Sequence, residues 1–483
     1  MLSLLIEKEL KSIVMSPKFV ATFAICSILI LLSIYIGINE YKSATSQFEA
    51  ANELTQQEIS EQSTWYSLYS RAIRKPEPMQ IFVSGLAYDI GRKTIVSQNR
   101  PINFVHSMYS DDPIFALFRI VDFSFIVSVV LTLFAILFTF DSISGEREKG
   151  TLKQIFSNPV PRAKYVLAKC IGSWLGLVVP ILIPILIGIF LVIVMGIDLS
   201  GGDWSRLITL MGISLLLFSF FVVLGVLISA STRRSNMSFL VSLVAWILFV
   251  LIIPRAGILL AGQIMPVPGL AEVEGRTEAY SKDKWKAHYD KMEKIWIERS
   301  AMHEEEREPT DEELWSQLEE DDARRDSVEN DIEDYRSRQI ADLRRRQAMQ
   351  RTLAFSLARI SPVSAFQLAA MQLADTDVDM KDRYEDATKQ YREDFINFIE
   401  NKQEEEGVTS GMTISISSEG GIKIGRPSEG KTIDLSEMPE FVPPERSFAS
   451  VFGSVATDFG LLSILTIVAF AGAFVRFVRY DVR

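Results

Sequence analysis

Cysteine is nearly absent. Cys26 and Cys170 are the only two in 483 residues, and both lie in or beside apolar runs. That excludes a disulfide framework and a cysteine-built metal centre. Histidine is almost as scarce: His106, His288 and His303 are scattered, and the last two stand in a charged stretch where a solvated position is expected rather than a ligand role. No nucleophile elbow and no zinc helix motif occurs, so no catalytic or metal constellation is available. A basic excess is missing too. Asp and Glu number 61 against 50 Lys and Arg, a net charge of −11, and nucleic-acid binding needs the opposite balance.

Long apolar runs are plentiful. A mean hydropathy of +0.18 alongside 23% charged residues indicates greasy and highly charged blocks in one chain. Runs at 18–38, 120–140, 170–197, 207–230, 237–262 and 449–475 are each long enough to cross a ~30 Å hydrocarbon core at about 1.5 Å per residue. The reading is an all-α polytopic membrane protein with six transmembrane helices. Residues 1–17 form an amphipathic elbow helix, with Leu2, Leu5, Ile6, Leu10, Ile13 and Val14 apolar against Glu7, Lys8, Glu9 and Lys11, suited to an inner membrane surface. No small-x-small cleavage site follows the first run, so it reads as a retained span rather than a signal peptide.

The charged segment 141–169, DSISGEREKGTLKQIFSNPVPRAKYVLAK, lies between the second and third spans. Its basic excess places it in the cytoplasm, together with both termini and the tail 476–483. Ser144 and Gly145 suit a helix start, Gly150-Thr151-Leu152 bends or restarts the chain, and Pro159-Val160-Pro161 stops it. The expected shape is a compact helical knob. Glu146-Arg147-Glu148-Lys149-Gly150-Thr151-Leu152, then Pro161-Arg162, then Lys169, resembles the pattern after the second span of ABC-2-type permeases, the membrane subunits of type V ABC exporters. The resemblance implies that this segment is a coupling helix docking on an ATPase subunit, with Glu146, Glu148, Gly150, Thr151, Leu152, Pro161 and Arg162 as coupling residues. The six spans, the insertion before the last one and the closing Phe477–Arg483 resemble a branch of that family with a large extracytoplasmic insertion.

Two segments lie on the outer side, 39–119 and 263–448. The second carries the acid: 261–450 holds 42 acidic against 26 basic residues. Trp285, Tyr289, Met292 and Trp296 make one apolar seam on a first helix, read as intramolecular core. Pro309-Thr310-Asp311-Glu312-Glu313 starts a second helix, carrying Val328, Ile332, Tyr335 and Leu343. Tyr384, Tyr391, Phe395 and Phe398 mark a third. Thr413–Ser417 and Ile422–Ile424 read as a small β-hairpin. The segment 39–119 reads as a helix running outward, a turn and a return, with Asp111-Asp112-Pro113 capping a short helix to Leu117. Gly425–Thr432 satisfies G-x-x-x-x-G-K-[ST], but the strand before it is brief and polar and Pro439 follows too soon for a phosphate-binding helix. A turn is the better reading.

The function expected is a permease subunit of an ABC exporter, not itself an enzyme. ATP and magnesium belong to separate cytosolic ATPase subunits, so no cofactor is expected in this chain. The other expected partners are a second permease copy or paralogue, membrane lipid and an extracytoplasmic protein, with no nucleic acid. The resemblance places the chain in a bacterial inner membrane. Spans with little charge suit an amphipathic, lipid-like, peptide or drug-like substrate. The alternative is mechanotransmission, in which the same machine acts on an extracytoplasmic partner and moves no solute. A membrane-anchored enzyme or receptor is a third reading, without residues to carry it.

Overall fold

The computed structural model describes residues 2–62, 65, 68–97, 121–303, 311–405, 413–416, 422–425, 435 and 437–479. His106, the Asp111–Leu117 helix, Pro309-Thr310, the part of the Gly425–Thr432 motif beyond Gly425, and the tail from 480 lie outside them. Among the described residues, six helices are long and apolar enough to cross a membrane: Pro17–Ser60, Phe123–Glu148, Arg162–Val194, Gly201–Ser231, Ser235–Ile264 and Phe448–Val478. The fold class is the one expected, all-α and polytopic, with two small antiparallel hairpins as the only strands among the described residues.

The chain divides into two compact units, one built from Met1–Leu251 with Ser361–Arg483 and the other from Ile252–Ile360. In the first, local chemistry sets each helix start. Ser16 accepts a hydrogen bond from the Phe19 amide at 3.2 Å, and Pro17 follows it at the first helical position. The first span then runs on for 44 residues, roughly 66 Å, so its far half must leave the bilayer. Ser200 and Asp203 close a capping box on the fourth span. Pro180 and Pro184 sit inside the third, which membrane helices tolerate because neighbours re-satisfy the backbone.

Two spans contain π turns, Ile126–Leu131 in the second and Leu248–Ile252 in the fifth. The second turn leaves the Phe249 carbonyl to accept the Ser361 hydroxyl, and Ser361 in turn caps the helix Pro362–Leu373. That helix is an interior element. Val363, Ala365, Phe366, Ala369, Ala370 and Leu373 are all fully buried, packed against the fourth and sixth spans. Just beyond it, Asp375 (φ +54°) and Asp377 bind Arg383 and Arg446, with Asp377–Arg383 at 2.9 Å and Asp377–Arg446 at 3.3 Å. Arg206 of the fourth span donates to the Arg446 carbonyl at 2.5 Å. Three segments are thereby clasped by one charged cluster.

A second small core joins Trp65, Leu68, Ala72 and Val96 to Tyr391, Phe395 and Ile399 of the helix Asp379–Glu405. Ala72 and Val96 belong to strands β1 (Ser70–Ile73) and β2 (Lys93–Val96), paired Ser70↔Val96 through Ile73↔Lys93. The sequence indicates only a turn there, since four-residue strands give too short a period to detect. The expected hairpin is present as β3 (Thr413–Ile416) and β4 (Ile422–Gly425).

The second unit is a helical hairpin. Helices Leu270–His303 and Asp311–Ala358 pair antiparallel, fixed by stacking of Tyr280 on Tyr335 at 3.9 Å and by ion pairs Lys284–Asp331 and Arg299–Asp321, both 2.8 Å. The last turns of the long helix return along Ile253–Ile264, where Gly257 lies against Ala358 and Gln350 donates to the Met265 carbonyl at 2.7 Å. The seam between the long helices runs through half-buried Trp285, His288, Met292, Ile295 and Arg299. Tyr289 and Trp296, expected in it, are 64% and 67% exposed. A stripe stepping by three and four residues fits a helix face only to within one position, and the observed register places Arg299 opposite Asp321.

Candidate functional site

The segment between the second and third spans forms two short helices, Ser144–Glu148 and Thr151–Phe156, as its residues suggested. Gly150 joins them at φ +73° with nothing within 4 Å of a built Cβ, a left-handed conformation that glycine adopts without penalty. The Thr151 hydroxyl donates to the Glu146 carbonyl at 3.1 Å and tightens the bend. Leu152 is buried, and Phe156, Tyr165 and Phe477 cluster with ring centroids 5.1–5.9 Å apart, Tyr165 stacked on Phe477. Pro161 stands immediately before the third span, and Arg162 donates to the Val478 carbonyl at the end of the sixth.

The knob is bolted to nearly every helix around it. The Ser229 hydroxyl of the fourth span accepts from the Ile143 and Ser144 amides at 3.0 and 3.1 Å. Glu148 accepts from the Ser235 amide at 3.0 Å, a carboxylate at the positive end of the fifth helix. Ser238 donates to the Phe140 carbonyl at 2.5 Å.

Glu146 occupies the centre of this arrangement. Its carboxylate accepts from Tyr165 Oη at 2.6 Å, Lys169 Nζ at 3.0 Å and Lys8 Nζ at 3.0 Å. Lys169 binds Glu9 of the elbow helix at 2.6 Å, and both side chains are at least nine-tenths buried. Burial pushes the Glu9 carboxyl above its usual range, with the neighbouring Lys169 ammonium opposing that rise. The elbow helix Leu2–Val14 runs beside the start of the third span, Glu9 against Gly172 and Ile13 against Gly176. A Cβ on Gly172 would lie 2.7 Å from the Glu9 Cβ, so this glycine pair admits the close approach.

Of the residues singled out in the sequence, Glu146, Thr151, Leu152 and Arg162 are engaged within the protein and Gly150 and Pro161 shape the chain. Glu148 caps a neighbour. Gly172 and Gly176 were not among them, and Glu9 and Lys169, though named in the sequence patterns, were given no coupling role. The signals were present: an acid on the buried flank of an amphipathic helix, and Lys169-x-x-Gly172-x-x-x-Gly176 opening a span.

A family model described as ABC-2 family transporter protein matches residues 4–482. This chain belongs to that family. The match spans nearly the whole chain. An ABC-2 family chain is the permease, a multi-pass membrane subunit that associates with an ABC ATPase. No curated protein matches the sequence.

Proposed function

We propose that this permease works as an exporter, with the knob Ser144–Phe156 docking on a cytosolic ATPase and the Glu9–Lys169–Glu146 relay carrying its motion into the elbow helix and the third span. The relay is the observation that carries the reading. Three elements far apart in sequence share one buried ammonium, so displacing the knob displaces the elbow helix and the third span with it. Glu146 is the pivot, and the docking face is made by the exposed Lys149, Gly150 and Lys153. Energy enters from the partner's ATP and magnesium, and the substrate leaves along the interface with a second permease copy or paralogue.

An apolar open groove of about 410 Å³ lies between the third, fourth and sixth spans, lined by Cys170, Trp174, Ser219, Val223 and Phe470. Such a surface suits an amphipathic, lipid-like, peptide or drug-like substrate. The decisive test is reconstitution with the ATPase. Lys149→Glu with Lys153→Glu is expected to weaken ATPase co-purification about tenfold or more through reversed charge at the contact, while the variant's melting temperature stays unchanged. Retained binding would remove the knob from the docking face.

Mechanotransmission has one observation in its favour. The hairpin Leu270–Ala358 is long and highly charged, unlike the wall of a solute path. Partner-dependent ATPase stimulation without any transported compound would decide for it.

A further inference from the structure

The distal half of the hairpin carries a surface that neither its own packing nor transport explains. In an antiparallel helix pair, residues that directly follow the seam on one helix share a flank with those that follow it on the other. The Lys284–Asp331 pair shows the same rule for the opposite flank, where each residue precedes a seam position, Trp285 and Ile332. Tyr289 and Trp296 follow His288 and Ile295, and Leu318 follows Gln317, so all three lie on one flank, with Trp315 a turn away from Leu318. Tyr289, Trp296, Trp315 and Leu318 are 64%, 67%, 69% and 54% exposed. Together they make an aromatic stripe roughly 24 Å long. Exposed aromatics in a contiguous stripe mark interaction surfaces rather than solvated helix.

Charge identifies the occupant. Residues 285–334 hold 19 acidic against 7 basic side chains, a net −12 that exceeds the −11 of the whole chain. By contrast, 335–359 holds seven arginines against Asp342 alone. A second copy offering the same flank would set two such surfaces face to face, and an anionic membrane would be repelled likewise. We infer that the Tyr289–Trp296–Leu318–Trp315 flank docks a basic protein bearing an apolar helix or loop, in the compartment that the hairpin enters. The inference rests on the six-span topology and holds for exporter and mechanotransmitter alike.

The test uses the full chain in intact cells, with a photoreactive benzophenone amino acid placed at position 296 and, as a control on the other flank, at 291. A single protein adduct at 296, identified by mass spectrometry as having a basic surface and absent at 291, is the expected result. Trp315→Glu should lower its yield about tenfold, Trp315→Phe should retain it, and raised salt should weaken it. The melting temperature of each purified variant establishes that the chain remains folded. Crosslinking to a second copy, to lipid alone, equally at both positions, or to nothing would each overturn the inference.

Discussion

Lys169→Met is expected to lower the stability of this permease by about 3–5 kcal/mol, the cost of removing one partner from a buried ion pair. The side chain is 7% exposed and faces Glu9 at 2.6 Å and Glu146 at 3.0 Å. Methionine fills a similar volume, so the loss isolates the charge rather than the packing. Two carboxylates then remain close together without their shared cation, and the elbow helix loses its charged link to the third span. The comparison variant is Lys8→Ala. Lys8 also binds Glu146 at 3.0 Å but is 52% exposed, and solvent screening limits such a pair to under about 1 kcal/mol. Thermal unfolding in detergent measures both, and equal losses would refute the assignment of Lys169 as the centre.

Acid should partly rescue the Lys169→Met protein. Burial already raises the Glu9 carboxyl, and removing Lys169 takes away the influence that opposes the rise. A carboxyl with a folded-state pKa above its unfolded value is penalised in the folded protein when ionised. The penalty is fully present above that raised value and is relieved as pH falls through it toward the ordinary glutamate range. The deficit relative to the parent protein should therefore shrink on mild acidification. A deficit that grows instead would mean that Glu9 ionises without cost.

Gly37→Ala is the second large effect. A Cβ built there lies 2.5 Å from the Ile81 carbonyl oxygen and 3.0 Å from its Cα. Those are backbone atoms of the 3₁₀ turn Pro78–Ile81, so no rotamer change relieves the overlap. One methyl group should cost about 1–3 kcal/mol through forced backbone movement. Gly453→Ala in the sixth span provides the opposite sign, because nothing lies within 4 Å of its Cβ position. There alanine should be neutral or stabilise by up to about 1 kcal/mol from helix propensity alone. The two melting temperatures, read against the parent protein, separate close approach from propensity. A parallel shift of both would show that the first span does not press on that turn.

The spans and the knob were legible in the sequence because each rests on a local signal. Twenty apolar residues in a row, a Gly-Thr-Leu restart and a Pro-x-Pro stop each specify their own backbone. Glu9 and Lys169 were not legible as partners, since 160 residues separate them and only packing brings them together. The interior position of Pro362–Leu373 was hidden for the same reason. Its composition marks an apolar helix, but nothing local says whether it rests on the bilayer or is enclosed by other helices. Trp296 illustrates a third limit. An aromatic at the right spacing looks like core until a partner helix selects the register.

The π turn Ile126–Leu131 leaves the second span with slack. Rewinding it to α geometry would release one residue, lengthening the helix by about 1.5 Å and swivelling everything past it by roughly 100°. Asp122 pins the starting end, accepting from the Phe125 amide at 2.7 Å and from Ser84 at 2.9 Å. Any such rewinding would have to be taken up toward the other end, where Glu146 and Glu148 are mounted. In that respect the span is built less like a rod than like a screw with one thread held in reserve.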